Sequence, residues 1–434
     1  MNTIFRDIIK FDGNLIWLFN IGVEKYWRQE VFTVKDKKEN FIVNHIEEIL
    51  FMIAQKQDYI ILRKRPDPFY LNTLQEYGLE IPQILCPSIE NENLSISELI
   101  LQDNELLLQL RKIGNEKETY LVPYAFSENE WKIAQKCQLK YWGGDLDVCK
   151  KINSKIYSRS LALECGFTVT EGTICNSFEE VIRAYQEYSL KNNPVVLKQP
   201  YGASGNGMFL INSQSSFKAA MRIVKRFYQN NPDTQWLVEL WYSDKADYNY
   251  QVFLSAGGNA EMFSVKKQIL NKAIYIGSIF STYKEDFIHS SKLLEYSRII
   301  GKEIYAEGYT GVLGIDAILL PGDQWIPIIE VNARFTLSTY LSFLRNYFPN
   351  RILLSFYHRF FAKLSYTDVI VKLKSSGISY NMQRGKGVLC YTAETINLST
   401  SLGRGRAFFI VVGETENEVW AYYNMILNLM KSIS

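Results

Sequence analysis

The sequence has few of the residues that most metal sites, disulfide frameworks and nucleophilic active sites need. Its 434 residues include only three histidines, which lie far apart, and six cysteines that form no C-x-x-C pair. This spacing argues against a zinc site and against a disulfide framework. No Ser–His or Cys–His arrangement stands out, and we expect the three histidines to be surface or packing residues. The cysteine usage favours a reducing cytoplasm.

An excess of one charge is also lacking, and so are long apolar runs. The 48 Lys and Arg residues against 46 Asp and Glu give a net charge of +2, which excludes the strongly basic field typical of nucleic-acid-binding proteins. The longest apolar stretches, such as 314–320 and 408–412, are too short to span a bilayer. The N-terminus, MNTIFRDIIKFDGN, has acidic residues and no small-residue cleavage site, so we expect no signal peptide. These features predict a cytoplasmic protein with neither nucleic acid nor membrane as partner.

The order of strand and helix signals predicts three units, which agrees with a prior of about 150 residues per domain. We place them at residues 1–147, 148–240 and 241–434. In the first unit, strand-like stretches at 15–20, 58–62 and 81–85 alternate with helical patterns, which predicts a parallel α/β sheet. A capping box at Ser127–Glu130 predicts a helix through Cys137.

The second and third units mix both kinds of element. We predict helices at 153–165, 178–190, 217–228, 292–307, 340–361 and 418–430. We predict strands at 168–169, 194–197, 208–211, 235–240, 250–255, 261–267, 311–320, 325–331, 387–392 and 407–412.

A glycine-rich hairpin lies in the second unit, in the stretch VVLKQPYGASGNGMFLI. Lys198 ends the apolar run, and the segment from Gly202 to Gly207 is longer than a tight turn needs. Glycine lets a backbone approach a ligand closely and present its N–H groups, which suits a polyphosphate. From these residues alone, a structural hairpin with a surface lysine is the simpler interpretation.

Two carboxylates and an amide follow one another on a strand pair, GIDAILLPGDQWIPIIEVNAR. Residues two apart on a strand share a face, so Glu330 and Asn332 project together, and a hairpin turning at Gly322 brings Asp316 beside them. Burying these charged and polar groups without compensation is costly, and Mg²⁺ with nucleotide phosphates provides that compensation. Arg334 continues the same face and can hold phosphate or carboxylate. The alternative is a solvated face with a salt bridge among Asp316, Glu330 and Arg334.

Four motifs in this order resemble the ATP-grasp superfamily, whose members bind ATP between two α+β lobes. They are NSKIYSRSLALECGFTV, VVLKQPYGASGNGM, WLVELWYSDKADYN and GIDA with IIEVNAR, all within residues 150–345. The resemblance implies an ATP-grasp fold, α/β and α+β in class, preceded by a Rossmann-like α/β pre-ATP-grasp domain in the first unit. The C-terminal stretch GRAFFIVVGETENEVWAYY is similar to the closing segment of carboxylase-type and peptide-ligase members.

The same resemblance implies a role for particular residues. Lys155 would contact the phosphates of ATP, and Lys198 would contact adenine and the α-phosphate. The loop with Gly202, Ser204, Gly205 and Gly207 would form a lid over the β- and γ-phosphates. Glu239 would bind the adenine amine, Leu240 and the backbone near Tyr242 the adenine ring, and Asp247 the ribose. Asp247 stands one residue later than the commoner glutamate spacing. The Mg²⁺ ligands, which could also bind Mn²⁺, are Asp316, Glu330 and Asn332.

The implied chemistry is an ADP-forming carboxylate–amine ligation through an acyl phosphate. Arg334 takes the place of the arginine that supports the transferred phosphate or the acyl phosphate. Either Lys266 or Lys267 should face inward, and Lys266 is a candidate contact of the γ-phosphate, with a solvated charge pair as the alternative. We expect an amino acid or peptide among the substrates, and a homodimer is possible. The rival interpretations are an ATP-binding regulatory or assembly protein without ligase activity, and a kinase that stops at phosphorylation.

Two glycine-containing stretches near the C-terminus carry basic residues, QRGKGVLCY and LGRGRAFF. Their basic residues are Arg384, Lys386, Arg404 and Arg406. They suit either plain hydrophilic turns or the docking of a carboxylate-rich substrate or peptide C-terminus.

Overall fold

A computed structural model describes residues 5–27, 41–191, 193–202, 207–271, 274–280 and 283–433, and its strands form three sheets. The first is a parallel sheet with the strand order β3-β2-β1-β4. Its strands are β1 (Asn14–Leu18), β2 (Tyr59–Ile61), β3 (Gln83–Leu85) and β4 (Thr119–Pro123). The predicted α/β arrangement of this unit is confirmed, while β4 was missed.

Helices cover the first sheet because each parallel connection needs a crossover. They are α-helices Phe5–Ile9, Pro68–Glu76, Ile96–Gln102, Asn104–Glu116 and Glu128–Cys137, with 3₁₀ turns at Val23–Tyr26 and Ile46–Met52. The capping box predicted at Ser127 is present: Ser127 accepts from the helix, and Glu130 accepts the N–H of Ser127 at 2.8 Å. Leu15, Ile16, Trp17 and Leu18 of β1 are fully buried.

The second sheet is antiparallel, with the order β5-β8-β6-β7. Its strands are β5 (Gly172–Cys175), β6 (Val195–Lys198), β7 (Met208–Ile211) and β8 (Trp236–Leu240). Helices Phe178–Tyr188 and Gln214–Asn230 pack on one face around Trp236 and Val238. The strand predicted at 168–169 is wrong. Strand β5 begins only at Gly172, and the Thr170 carbonyl before it accepts from the Arg159 side chain.

The third sheet has eight antiparallel strands in the order β13-β12-β9-β10-β11-β14-β16-β15. They are β9 (Ala246–Leu254), β10 (Ala260–Asn271), β11 (Ile274–Phe280), β12 (Gly311–Leu320), β13 (Gln324–Asn332), β14 (Ile352–Phe360), β15 (Gly387–Cys390) and β16 (Gly405–Gly413). The accompanying helices are Leu146–Ile152, Lys155–Glu164, Tyr283–Ala306, Leu337–Tyr340, Tyr366–Ser375, Glu394–Asn397, Ser399–Leu402 and Glu416–Ile433, with a 3₁₀ turn at Leu344–Asn346. The three sheets hold strands of residues 14–123, 172–240 and 246–413, and the domain boundaries remain a prediction.

The helix predicted over residues 340–361 is wrong. Only the short helix Leu337–Tyr340 and a 3₁₀ turn form there, and residues 352–360 are strand β14. Pro349 and Asn350 break the pattern, and Asn350 has a φ of 59°. Strand β14 then pairs with β11 on one side and β16 on the other, and this pairing outweighs the local helical signal.

The N-terminal unit and the third sheet share one hydrophobic core. The hydroxyl of Tyr70 donates to the Tyr391 carbonyl at 2.8 Å, and the N–H of Phe335 donates to the Tyr124 carbonyl at 2.9 Å. The first unit is therefore fixed beside the strand that carries Glu330. Among the described residues, no helix has both the length and the apolar character that a membrane span requires.

Two adjacent glutamates are buried at this junction. Glu48 Oε2 accepts the backbone N–H of Ala393 at 2.5 Å and of Glu394 at 2.9 Å. Glu47 lies 3.1 Å from Arg63. Burial raises the pKa of Glu48 to about 8 and that of Glu47 to about 7. Both groups therefore bind protons in the folded protein at pH values where they are ionised in the unfolded chain.

Glu48→Gln is expected to flatten the pH dependence of stability. Because the folded-state pKa lies above the unfolded value of 4.5, this group's contribution is lost as pH rises from about 4.5 to about 8, by up to about 1.4 kcal/mol per pH unit. Glutamine keeps the acceptor oxygen but carries no charge. Urea unfolding at about pH 5 and about pH 8 measures the slope. The exposed control Glu90→Gln should keep the wild-type slope, and an unchanged slope in Glu48→Gln would contradict this assignment.

Candidate active site

A row of polar side chains crosses four strands of the third sheet. Glu330 on β13 is the cross-strand partner of Asp316 on β12, which is the partner of Asn249 on β9, which is the partner of Lys266 on β10. Directly opposed residues share a face of the sheet. The register therefore puts two carboxylates, an amide and an ammonium side by side.

The carboxylate of Asp316 is held by amides. Its Oδ1 accepts from Asn249 Nδ2 and from Gln268 Nε2, both at 2.8 Å. Burial and then the charge of Glu330 raise the pKa of Asp316 to about 7. Two close carboxylates are therefore incompletely compensated by the protein alone.

These residues fit a divalent cation. Asp316 and Glu330 offer carboxylate oxygens, and Asn332, only 6% exposed, offers an amide oxygen two residues along β13. Hard oxygen ligands of this kind suit Mg²⁺ or Mn²⁺, and a cation would offset the repulsion that raises the pKa of Asp316. In the part of the chain that the structure describes, no three His, Cys, Asp or Glu side chains gather into a metal cluster. A site here would thus rely on two carboxylates and an amide.

Lys155 joins the glycine-rich hairpin to the carboxylates. It is the first residue of the helix Lys155–Glu164, capped by Ser154, and is 3% exposed. Its Nζ donates to the Gly202 carbonyl at 2.9 Å and to Glu330 Oε1 at 2.7 Å. Packing of this helix against β13, where the Val331 N–H donates to Ser158 Oγ at 2.9 Å, fixes the position of the lysine. A buried cation therefore bridges the two lobes beside the carboxylates.

The second sheet holds a buried charge cluster centred on Glu239. Its Oε1 forms an ion pair with Lys198, and its Oε2 accepts from Thr170 Oγ1 at 2.5 Å and lies 3.5 Å from Arg159. Lys198 is 5% and Glu239 3% exposed. The two residues predicted for adenine and α-phosphate are thus partners of each other.

Leu240, the last residue of β8, and the backbone near Tyr242 were predicted to line the adenine ring. The N–H of Leu240 donates to the Glu171 carbonyl at 2.9 Å, and that of Trp241 to the Pro194 carbonyl at 2.7 Å. Neither N–H is thus directed at a ligand. Tyr242 is partly buried against the core of the second sheet.

Lys245 lies beside two of the predicted ATP-binding residues, although the motifs gave it no role. It is 8% exposed, forms an ion pair with Asp247, and lies 4.6 Å from the Trp241 ring centroid. Burial lowers the pKa of Lys245, and the charge of nearby Lys198 acts in the same direction. The predicted ribose contact, Asp247, is therefore neutralised by a lysine that stands two residues before it in the same motif.

The two consecutive lysines on β10 face opposite ways. Lys266 is buried, and its Nζ donates to the Ser338 carbonyl and, at 2.7 Å, to Ser342 Oγ. Lys267 is exposed. The sequence predicts that one of the two lysines faces inward, and the structure shows that the buried one is Lys266. Its contact with the γ-phosphate remains a prediction.

Arg334 does not continue the strand face as expected. Strand β13 ends at Asn332, and Arg334 Nη1 donates to Tyr124 Oη at 2.7 Å and to the Phe335 carbonyl at 3.1 Å. Its guanidinium lies 5.0 Å from the Tyr124 ring centroid. The bond from Phe335 to the Tyr124 carbonyl draws the chain towards the N-terminal unit, and this contact could not be inferred from strand periodicity.

The predicted lid is described only at its two ends. The Gly202 carbonyl accepts from Lys155, and Gly207, which has a φ of 81°, accepts the Gln199 N–H at its carbonyl at 2.9 Å. The positive φ of Gly207 favours glycine there, and a Cβ would also lie 3.2 Å from the Tyr201 carbonyl oxygen. Ser204 and Gly205 lie outside the described residues.

The basic residues of the two C-terminal glycine stretches differ in environment. Arg384 lies in an exposed turn, whereas Lys386 lies 2.8 Å from Glu418 Oε1. Arg406 is 6% exposed on β16, with its guanidinium 4.6 Å from the Tyr357 ring centroid. The plain-turn interpretation is therefore wrong for Arg406, which is a buried strand residue.

Known proteins resemble this chain in sequence and fold. Residues 47–139 match the pre-ATP-grasp domain and residues 181–338 match the ATP-grasp domain. The butirosin acyl-carrier protein–L-glutamate ligase of Niallia circulans is 28% identical over 344 residues, which cover 77% of this chain and 75% of that protein. The chain belongs to the ATP-grasp superfamily, with a pre-ATP-grasp domain ahead of its ATP-grasp domain.

Solved structures show the same fold at low identity. A biotin carboxylase from Campylobacter jejuni, solved as a β,γ-ATP complex, has a TM-score of 0.57 at 13% identity and covers 96% of this chain and 92% of that one. An N5-carboxyaminoimidazole synthetase from Staphylococcus aureus complexed with ADP has a TM-score of 0.53 at 9% identity, covering 96% and 97%. These likenesses support the fold of the whole chain, from the parallel sheet to the terminal helix.

Proposed function

We propose that this protein is an ATP-dependent, ADP-forming ligase that joins a carboxylate to an amine through an acyl phosphate. One observation carries the proposal most directly. Lys155 bonds to both the carbonyl of Gly202 and the carboxylate of Glu330, at 2.9 and 2.7 Å. A cation between a glycine-rich hairpin and a carboxylate pair is suited to a triphosphate that spans the two lobes.

The charged residues of the site divide the work of binding ATP. Lys155, Lys198 and Lys245 supply positive charge for the phosphates. Asp316, Glu330 and Asn332 would hold Mg²⁺ or Mn²⁺, which when bound neutralises phosphate charge and polarises the γ-phosphoryl group. Gly202, Ser204, Gly205 and Gly207 belong to the proposed lid, with Glu239, Leu240, Tyr242 and Asp247 on the nucleoside side.

The reaction has two steps that need no nucleophile from the protein. A substrate carboxylate oxygen attacks the γ-phosphorus, the bond to the β-phosphate oxygen breaks, and ADP leaves with that electron pair. The amine then attacks the acyl carbon, phosphate departs with the electrons of the acyl C–O bond, and the nitrogen loses a proton. Exclusion of water protects the acyl phosphate between the steps. Arg334 and Lys266 are proposed to stabilise the charge that develops on the transferred group.

We infer that an amino acid is one of the two substrates. The Niallia circulans relative is named for joining L-glutamate to an acyl-carrier protein, and the polar row of this site offers both charges that an amino acid carries. The same name makes a carrier-bound acid or amine the second candidate partner.

The proposal is tested by measuring ADP release with Mg-ATP and pools of amino acids, with and without an added amine. A ligase should release ADP in proportion to amide formed, as detected by mass spectrometry. ADP release with a stable phosphorylated product and no amide would indicate a kinase. A regulatory or assembly role would be favoured if the protein binds ATP but releases no ADP, either with any amino-acid pool or with glutamate and acyl-carrier protein together.

A further inference from the structure

A groove of about 450 Å³ opens between the N-terminal unit and the segment that precedes β15. One side is lined by Glu76 and Tyr77, at the end of the helix Pro68–Glu76, and the other side by residues of the segment 379–384. Lys374 also lines the groove, and its Nζ donates to Glu76 Oε2 at 2.9 Å. A volume of this size is typical of sites that bind a small molecule or a short peptide.

The groove is separate from the carboxylate pair of the proposed ATP site. The segment 379–384 leads into β15, which stands six strands away from β12 in the order of the third sheet. At the usual spacing of strands, β15 lies about 30 Å along the sheet from Asp316. A ligand of the groove is therefore not expected to compete with ATP.

Arg384 gives the groove a positive charge that the protein leaves unpaired. It lies in a turn, where its backbone N–H donates to Asn381 Oδ1 at 2.9 Å. Its exposed side chain makes no ion pair and no hydrogen bond within the part of the chain that the structure describes. The other two charged residues of the groove, Lys374 and Glu76, pair with each other. The groove thus has one net positive charge, which suits an anion.

The hydroxyl of Tyr77 is a second and independent sign of a ligand. Tyr77 is 3% exposed, and its hydroxyl has no hydrogen-bond partner among the described residues. The polar groups near it are the side chain of Ser379, which also lines the groove, and the backbone of Cys390. Buried hydroxyls are nearly always satisfied by a protein, water or ligand partner. A ligand that extends to Ser379 can supply this partner.

The groove also offers apolar surface. Met382 is 60% exposed and reaches across to the N-terminal unit, where a Cβ on Gly78 would lie 3.3 Å from Met382 Cε. The Tyr380 ring lines the same groove, with its centroid 6.2 Å from that of Tyr77. A thioether beside an aromatic ring adapts to side chains of different shapes. Charged, hydrogen-bonding and apolar groups therefore line one groove, and the end of a peptide chain carries all three kinds of partner.

We propose that this groove binds the C-terminal end of a short peptide. The Arg384 guanidinium would hold the terminal carboxylate, the Tyr77 hydroxyl would bond to a peptide amide, and Met382 and Tyr380 would contact a side chain. A peptide end fits better than a free amino acid, because a single amino acid would leave much of the 450 Å³ empty. This binding does not depend on the proposed ligase activity.

The test measures the fluorescence anisotropy of fluorescein-labelled tetrapeptides whose last two residues are randomised. The pool is made with a free C-terminal carboxylate or with a C-terminal amide. The full-length wild type should bind the free-acid pool at least about tenfold more tightly, because the amide loses the charge that pairs with the guanidinium. A non-hydrolysable ATP analogue with Mg²⁺ should leave this binding unchanged. Equal affinity for both pools, displacement by the analogue, or no binding would overturn the proposal.

Two variants test the assigned residues. Arg384→Gln removes the charge from an exposed turn and should weaken binding of the free-acid pool about ten- to hundredfold. Arg111→Gln, at another exposed arginine, is the matched control and should bind as the wild type does. Tyr77→Phe removes a hydroxyl without a partner, so it should keep its thermal stability and bind the pool about three- to tenfold more weakly. Wild-type affinity in either Arg384→Gln or Tyr77→Phe would contradict the assignment.

Other occupants of the groove give different results. Single amino acids and inorganic phosphate should displace the labelled pool at least about tenfold less effectively than unlabelled peptide. If they displace it equally well, the groove binds a free anion and the peptide proposal is wrong. If Arg384→Gln changes the oligomeric state in sedimentation velocity, the groove is an interface between copies of this chain, and the proposal is again wrong. None of these measurements involves ADP release, so the groove and the ligase proposal can fail separately.

Discussion

Glu330→Gln is expected to lower amide formation by roughly two to three orders of magnitude while the protein remains folded. Glutamine has the same shape but lacks the charge that pairs with Lys155 at 2.7 Å and that completes the carboxylate pair with Asp316. A metal held by one carboxylate and two amides would bind the triphosphate weakly. ADP release and amide yield, measured at saturating ATP and Mg²⁺, check the prediction.

The fold should tolerate this change because Asp316 remains as a second carboxylate near Lys155. The substitution removes the ion-pair partner of Lys155, but it also removes the repulsion that raises the pKa of Asp316, whose carboxylate interacts with the charge of Lys155. Glu261→Gln, an exposed change on β10, serves as the matched control and should be fully active. Near-normal ADP formation by folded Glu330→Gln would remove Glu330 from the metal site.

The carboxylate pair could be predicted from the sequence because one short hairpin contains it. A turn at Pro321-Gly322-Asp323 and a period of two residues are enough to place Asp316 opposite Glu330, as the structure does. The resemblance to ATP-grasp proteins added Lys155 and Lys198, whose positions lie far away in the chain. Local patterns thus predicted what lies on one hairpin, and the motif order predicted which hairpins meet.

The amides that hold Asp316 could not be predicted in this way. Asn249 and Gln268 reach Asp316 because β9 pairs with β12 and β10 pairs with β9, an order that no local pattern contains. The same limit applies to Lys266, whose partner Ser342 lies in the segment wrongly predicted as a helix over residues 340–361 and whose partner Ser338 lies just before it. The Pro349-Asn350 pair was the signal that could have ended that helix earlier.

Buried charge also distinguishes a binding site from a structural one here. Lys155, Lys198 and Lys266 are each at most 5% exposed, and burial of lysine is unfavourable unless the charge is paired. Lys155 and Lys198 have carboxylate partners, Glu330 and Glu239. Binding of a triphosphate and a metal would exchange these internal pairs for ligand pairs.

The second large effect is expected at Arg334, and its test must allow for the contact with Tyr124. We predict that Arg334→Ala leaves ATP affinity within a few-fold and lowers amide formation by roughly two orders of magnitude. An arginine beyond the metal ligands stabilises charge that develops during transfer more than charge already present in ATP. Arg334→Lys should restore little activity, because an ammonium lacks the planar fork of the guanidinium.

Tyr124→Phe is the control that separates a catalytic role of Arg334 from a structural role in its contact with the N-terminal unit. It removes the hydroxyl that accepts from Arg334 Nη1 at 2.7 Å and leaves the guanidinium in place over the ring. If Arg334 acts on the transferred phosphate, Tyr124→Phe should cost about tenfold at most, the worth of one hydrogen bond. If instead Tyr124→Phe reproduces the loss seen in Arg334→Ala, the arginine acts by holding the N-terminal unit against β13. Equal losses of ATP binding and amide formation in Arg334→Ala would make it a ground-state contact, and the acyl-phosphate mechanism would then lack its proposed arginine.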